Sequence, residues 1–308
     1  MSKAITASIL RELAYFDVFD FPLTEFELWR YQSNQVSLGE VQRELRTNSW
    51  LAERVESDSG MYYLKGRKEI VTTRLRRYRE AEGKFRKLMR FTQRLRRLPF
   101  VRMIAVCNSL AYSNSREDAD IDLFIITQPA RIWTTRMYLT GYLKLFGERP
   151  TGAHTRDTLC ASFYIAADRL DLSPLRVTNP DIYLAHWVTQ VWPLYDPEGL
   201  YNKFWESNIW VREMFPNAGP IIPSRRRSAR KRFWGQSWAE KLHAGGVGDR
   251  LERVFENYQM KILPDSLRGL ANRDTRVVLS DTMLKFHDND RRTQYQNAWQ
   301  ERLRRFEA

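Results

Sequence analysis

The sequence predicts an α+β protein, a small mixed sheet with helices, extended at both ends by helical segments. Three observations carry this. Met103–Cys107, Ile121–Ile126 and Thr158–Ile165 are short apolar stretches of strand length, rich in β-branched residues. An amphipathic helical pattern separates the second from the third. On either side the apolar residues recur at helical spacing. The expected units are residues 1–66, a connecting helix at 67–98, a core at 99–172, and a helical C-terminal region at 173–308 with a linker near 216–232.

In the first unit, Ile5, Ile9, Leu10, Leu13 and Phe16 form one helical stripe, which Asp20-Phe21-Pro22 stops. Thr24 with Glu27, and Ser37 with Glu40, each spell a capping box at the start of a helix. Arg54–Glu56 and Met61–Leu64 flank Ser57–Gly60 as a hairpin. Three helices and a hairpin resemble a winged helix-turn-helix. In its DNA-binding versions the third helix, here Leu38–Trp50, reads bases in the major groove. Gln42, Arg43, Arg46, Thr47 and Asn48 would be available for that. Glu40 and Glu44 on the same helix repel phosphates and favour packing against the rest of the chain.

Residues 67–98 read as one basic helix with 13 Lys or Arg against three Glu. Leu75, Tyr78, Phe85, Leu88, Phe91, Leu95 and Leu98 form its apolar stripe. Arg67–Arg97 is either a solvated face or a rail for nucleic acid or another polyanion. Arg225–Arg232 (R-R-R-S-A-R-K-R) poses the same choice. The net charge of +13 favours polyanionic partners without choosing among them.

No apolar run of about 18 residues exists, so no membrane span is expected. The first residues lack the apolar centre of a signal peptide. Cys107 and Cys160 sit in apolar strand patterns, as core residues of a reducing, cytoplasmic compartment. With four histidines and no H-x-x-x-H spacing, zinc chemistry is not expected.

Asp120-Ile121-Asp122 opens the second strand. Residues i and i+2 of a strand share a face, so the two carboxylates point one way, and Ile121 and Leu123 point into a core. Adjacent carboxylates repel unless a cation lies between them. Mg²⁺ or Mn²⁺, held by carboxylates and substrate phosphates, suits such a pair. Two solvated aspartates at a sheet edge are the plain alternative. Asn108-Ser109 marks a tight turn after the first strand. Pro129 starts the next helix with Ala130, Arg131 and Ile132, and Arg131 and Arg136 could reach phosphates or pair with carboxylates. From Asp181 the pattern is helical and aromatic, with Ile182–Trp192 as one apolar face. Lys285 and His287 form a polar cluster without an assigned role.

The stretch N-S-L-A-Y-S-N-S-R-E-D-A-D-I-D-L-F-I-I-T resembles the nucleotidyltransferase superfamily typified by DNA polymerase beta, including the minimal nucleotidyltransferases. There a strand ends in Gly-Ser, about ten residues follow, and Asp-h-Asp opens the next strand, h being apolar. L-A-Y-F-D-V-F-D-F-P-L-T, Y-Y-L-K-G-R, R-I-W-T-T-R and L-K-F-H-D-N-D-R-R resemble bacterial nucleotidyltransferase-domain proteins of this length with an N-terminal winged-helix-like segment. The resemblance implies a polymerase-beta-like core and transfer of a nucleoside monophosphate from an NTP to an acceptor. Asp120 and Asp122 would hold Mg²⁺ (or Mn²⁺), and Asn108 and Ser109 would form the phosphate turn. The chain departs from the pattern at three points. Asn108 and Ser113 replace glycines. The strand Leu159–Ile165 has no third carboxylate, and Asp157 is only a weak substitute. Three functions follow as expectations: a nucleotidyltransferase, a catalytically reduced nucleotide-binding relative, or a winged-helix DNA-binding regulator.

Overall fold

The computed structural model describes residues 2–151, 155–229, 231–243 and 245–307. It is a mixed α+β structure with two sheets. The first 64 residues hold helices α1 (Ser2–Asp17), α2 (Glu25–Arg30), α3 (Leu38–Thr47) and α4 (Ser49–Ala52). Strands β1 (Leu23–Thr24), β2 (Val55–Asp58) and β3 (Met61–Leu64) form a sheet in the order β1-β3-β2. Both capping boxes are made, Thr24 with Glu27 and Ser37 with Glu40. Ser59 and Gly60, both at positive φ, turn the hairpin, because left-handed residues match strand twist. The helix expected to reach Trp50 breaks at Asn48, whose side chain accepts from Leu51 N and caps α4 instead.

These residues do not form a separate module. Ile9, Leu10, Leu13 and Phe16 of α1 belong to the same apolar cluster as Met103, Phe124 and Phe163 of the central sheet. The C-terminal helix, residues Arg292–Glu307, also binds α1: Trp299 Nε1 donates to Arg11 O (3.1 Å), and Arg302 meets Asp17 at 2.6 Å.

Helix α5 (Glu69–Leu95) follows. Its apolar stripe is buried only from Phe85 to Leu95; Leu75 and Tyr78 are exposed. Many of its basic residues are tied down. Arg74 pairs with Glu27, Arg67 with Asp17 and Asp20, and Lys87 with Glu148.

The second sheet is built from β4 (Val101–Val106), β5 (Ile121–Thr127), β6 (Leu159–Ala166), β7 (Trp192–Tyr195), β8 (Val277–Leu279) and β9 (Met283–Phe286), in the order β7-β4-β5-β6-β9-β8. The pairs β4–β5, β4–β7, β6–β9 and β8–β9 are antiparallel, and β5–β6 is parallel. The parallel pair requires a crossover, which α7 (Ile132–Leu145) supplies after the one-turn α6 (Asn108–Ala111). Helix α7 begins at Ile132 rather than at the proline, because Ala130 turns the chain at φ +58°.

The region expected to be helical therefore supplies three strands. Trp192, expected on the helical apolar face, instead opens the edge strand Trp192–Tyr195, where Pro193 is tolerated. The remaining helices are α8 (Ile182–Gln190), α9 (Leu200–Ser207), α10 (Val211–Met214), α11 (Trp234–Leu242), α12 (Gly245–Lys261), α13 (Asp265–Leu270) and α14 (Arg292–Glu307). They divide between the two faces of the sheet. Phe124, Ile126 and Phe163 meet α8, α9 and the N-terminal helices on one face; Ile121, Leu123 and Ile125 meet α5 and α7 on the other. No described helix is long and apolar enough to cross a membrane.

Candidate functional site

Strand β4 ends at Val106, and the chain turns into α6 through Asn108 at φ +55°. Helix α6 leaves through Ser113 at φ +60°. Both positions where the resembled pattern has glycine are left-handed here. Asn tolerates that conformation better than most residues. The Asn108 side chain adds a fixed contact, its Oδ1 accepting from Trp187 Nε1 at 2.9 Å.

The loop then returns to β5. Buried Lys84 holds it from behind, donating to Glu117 O at 3.2 Å and pairing with Asp157 at 2.7 Å. Asp157 is thus committed to Lys84 and does not serve as a third carboxylate at the site. Asp120 and Asp122 face the floor of a pocket of about 510 Å³, while Ile121 and Leu123 are buried on the opposite face.

Opposite Asp122, on the parallel strand β6, stands Cys160. One ligand atom each from Asp120, Asp122 and Cys160 lie within 4.8 Å of one another. Burial raises the Asp120 carboxyl above its ordinary range; its own backbone N–H, the Cys160 thiol and Lys84 oppose the rise. Burial first, and the neighbouring Asp120 charge second, push Asp122 up to about 7, against a hydrogen bond from Asn108. The Cys160 thiol is pushed up to about 12, by burial and then by the two aspartates, so at neutral pH it remains a donor. No arginine or lysine forms an ion pair with Asp120 or Asp122 among the described residues. Two carboxylates and a sulfur converging without a cationic partner fit a divalent ion: each carboxylate gains a counter-charge, and their mutual repulsion is removed.

The facing wall comes from β9 and the segment after it, far along the chain. Lys285 Nζ is buried and donates to Thr275 O at 2.6 Å. Burial, then Arg292 nearby, lowers its pKa to about 8. His287 Nε2 lies 3.0 Å from Ser162 Oγ. Burial and then Lys285 push this histidine down to about 3, so it is neutral at pH 7. Arg292 is locked between Asp290 (2.7 Å) and Asp181 (3.2 Å). Arg291, exposed at the mouth, has no carboxylate partner among the described residues. Lys285, His287, Arg291 and Ser162 are site residues that sequence reasoning did not assign, and Cys160, expected in the core, joins Asp120 and Asp122 in the site instead. The signal was the alternation L-K-F-H, which puts Lys285 and His287 on one face of a strand.

Three expected residues lie elsewhere. Ser109 lines a neighbouring cavity of about 240 Å³ that shares Asn108, Tyr183, Trp187 and Tyr295 with the main pocket. Arg131 follows the far end of β5, and there it meets Asp249 at 2.8 Å. Arg136 lies over the Phe286 ring at 4.2 Å and donates to Gln259 Oε1, outside the pocket. Helix α7 crosses over the apolar face formed by Ile121 and Leu123, so neither arginine reaches the aspartates.

Comparison of the chain with protein-family models, with curated proteins and with solved structures finds no match.

Proposed function

We propose that the chain is a divalent-cation-dependent nucleotidyltransferase, moving a nucleoside monophosphate from an NTP to an acceptor hydroxyl. One observation carries the reading. Two unpaired aspartates at the start of β5 share a pocket with Lys285 and Arg291, behind a strand–turn–strand connection whose two glycine-type positions are left-handed. An anionic floor that calls for a cation, faced by a wall that carries Lys285 and Arg291 alongside Asp288 and Asp290, suits a metal-bound polyphosphate.

Asp120 and Asp122 would hold the cation, with Mg²⁺ or Mn²⁺ as the hard ions that carboxylates and phosphates prefer. When bound, the ion supplies charge neutralisation and lowers the pKa of a coordinated oxygen. Arg291, and Lys285 deeper in, offer positive charge to the outer phosphates. Trp187 holds Asn108 and with it the turn, so its amide is fixed toward Asp122. In the transfer, an acceptor oxygen forms a bond to the α-phosphorus, the bond to pyrophosphate breaks, and the acceptor proton leaves to a base. His287, beside Ser162, stays neutral at pH 7 and is too weak a base to keep that proton, so it serves to orient Ser162 while the proton passes to solvent.

A second reading has its own observation. Cys160 occupies the strand position facing Asp122, where the resembled pattern leads one to look for a third carboxylate. A thiol kept protonated is a poor substitute, which favours a nucleotide-binding relative without turnover. Pyrophosphate release from each NTP with Mg²⁺ or Mn²⁺ separates the two. Sustained release that Asp122→Asn abolishes supports the transferase. Cation-dependent NTP binding without release supports the second reading, and absence of NTP binding rejects both.

A further inference from the structure

The two basic runs, about 130 residues apart in sequence, meet in one groove on the sheet face away from the aspartates. Ser224–Arg227 lies across α5, and Arg227 sits over the rings of Phe85 (3.8 Å) and Trp192 (5.4 Å) and pairs with Glu82. The run is therefore a strap and not a mobile arm. Ala229 bridges to Tyr195 of β7, and Arg232 binds Glu240 at 2.7 Å; Arg230 lies outside the described residues.

Strap and helix enclose a recess of about 1070 Å³. Arg86, Arg90 and Arg226 line it; all three are exposed, and none has a carboxylate partner among the described residues. Tyr78, 51% exposed, and the partly exposed Trp192 supply aromatic surface. The one acid in the recess, Glu82, is already neutralised by Arg227. Along α5 the exposed Arg79, Arg86 and Arg90 recur at seven and four residues, a single helical face, and exposed Arg97 follows in the turn after the helix. At 1.5 Å per residue the helical part of that face is about 17 Å long.

We propose that this groove binds single-stranded nucleic acid, with the arginines on successive phosphates and the rings of Tyr78 and Trp192 against unstacked bases. Unpaired like charges along one face repel, and exposed rings beside them leave apolar surface in water. A polyanion with π-faces relieves both. The bases of a duplex are stacked on one another and cannot lie against recessed rings, whereas those of a single strand can. The proposal does not depend on the aspartate site.

The test is fluorescence anisotropy of a labelled oligothymidylate with the full chain. Four arginine–phosphate contacts at about 0.7 each predict roughly fifty-fold weaker binding on going from about 50 to 200 mM salt. The double variant Arg86→Glu/Arg90→Glu removes binding; both side chains are exposed, so a circular-dichroism melt should be unchanged. Tyr78→Ala weakens oligothymidylate about tenfold, as loss of one base stack does, yet leaves inorganic polyphosphate binding untouched. Asp122→Asn leaves oligothymidylate binding as it was, which separates this site from the proposed transferase. The proposal is overturned if the charge-reversed chain binds equally well, if no binding occurs at low salt, or if Tyr78→Ala has no effect. It is also overturned if duplex DNA, polyphosphate or anionic vesicles bind as tightly at equal phosphate concentration.

Discussion

The two ends of the β4–β5 pair carry partly buried carboxylates in opposite circumstances. At the far end, Glu240 of α11 accepts from Phe100 N at 2.9 Å and from Arg102 at 2.7 and 3.1 Å, and Arg232 adds a further pair at 2.7 Å. Burial pushes its pKa up, but Arg102 and the Phe100 N–H more than offset this, and it ends below the ordinary glutamate range. At the near end, Asp120 and Asp122 have each other, a thiol and an amide, and both rise. A carboxylate surrounded by donors is already satisfied and holds the fold together. A carboxylate pair left short of positive charge costs stability until something binds, and that contrast is the physical basis for placing function at the near end.

The largest effect expected from breaking this contrast is at Glu240. Glu240→Gln leaves buried Arg102 with only the longer pair to Glu198 (3.7 Å) and should cost about 3 kcal/mol of unfolding free energy, read from denaturant melts. Asp122→Asn should do the reverse in the metal-free chain, since it removes one of two repelling charges. Its cost appears only with ligand: the stabilisation by cation and NTP, about 2.7 kcal/mol at a hundred times Kd, should vanish.

The pH dependences should oppose each other too. Asp122 keeps its proton up to about 7 when folded, but only to about 4 when unfolded. Between those values the folded state binds more protons, so the metal-free chain loses stability as pH rises through that window. Asp122→Asn flattens the slope. Glu240, with its folded pKa lowered, contributes stability above its unfolded pKa that is lost as pH falls through its folded value. Melts of both variants from acid to neutral pH check the two signs.

Smaller effects sharpen the picture at the near end. Cys160→Asp supplies a third carboxylate facing Asp122 and should tighten cation binding about tenfold, or 1.4 kcal/mol. It should also raise pyrophosphate release if that missing group alone limits turnover. The turn gives effects of similar size. Asn108→Ala should cost about 1–2 kcal/mol, from a left-handed residue with a Cβ and the lost bond to Trp187. Asn108→Gly keeps the turn but loses the bonds to Trp187 and Asp122, and should cost about 1 kcal/mol.

The central strands, the capping boxes, the hairpin and the direction of Asp120 and Asp122 were legible because each rests on local rules of period and turn chemistry. The left-handed turn at Asn108 was legible only through the resemblance, whose pattern has glycine at that position. Lys285 and His287 were visible only as an alternation. Their place depends on β9 pairing with β6 across more than a hundred residues, which no local pattern reports. Arg131 and Arg136 were misplaced because a helix after a strand can cover either face, and α7 took the face of Ile121 and Leu123. The N-terminal residues read as separate because their caps and hairpin are self-contained, while the burial of Leu10 and Phe16 against the sheet is a tertiary fact.

The most direct test of the central claim is a calorimetric titration of Mn²⁺, with and without a non-hydrolysable NTP, into the native chain and Asp122→Asn. The account predicts that the native chain binds Mn²⁺, more tightly with the nucleotide present. The variant should bind neither while melting at the same or a higher temperature without ligand. Equal Mn²⁺ binding by the two chains, or none by either, would contradict it.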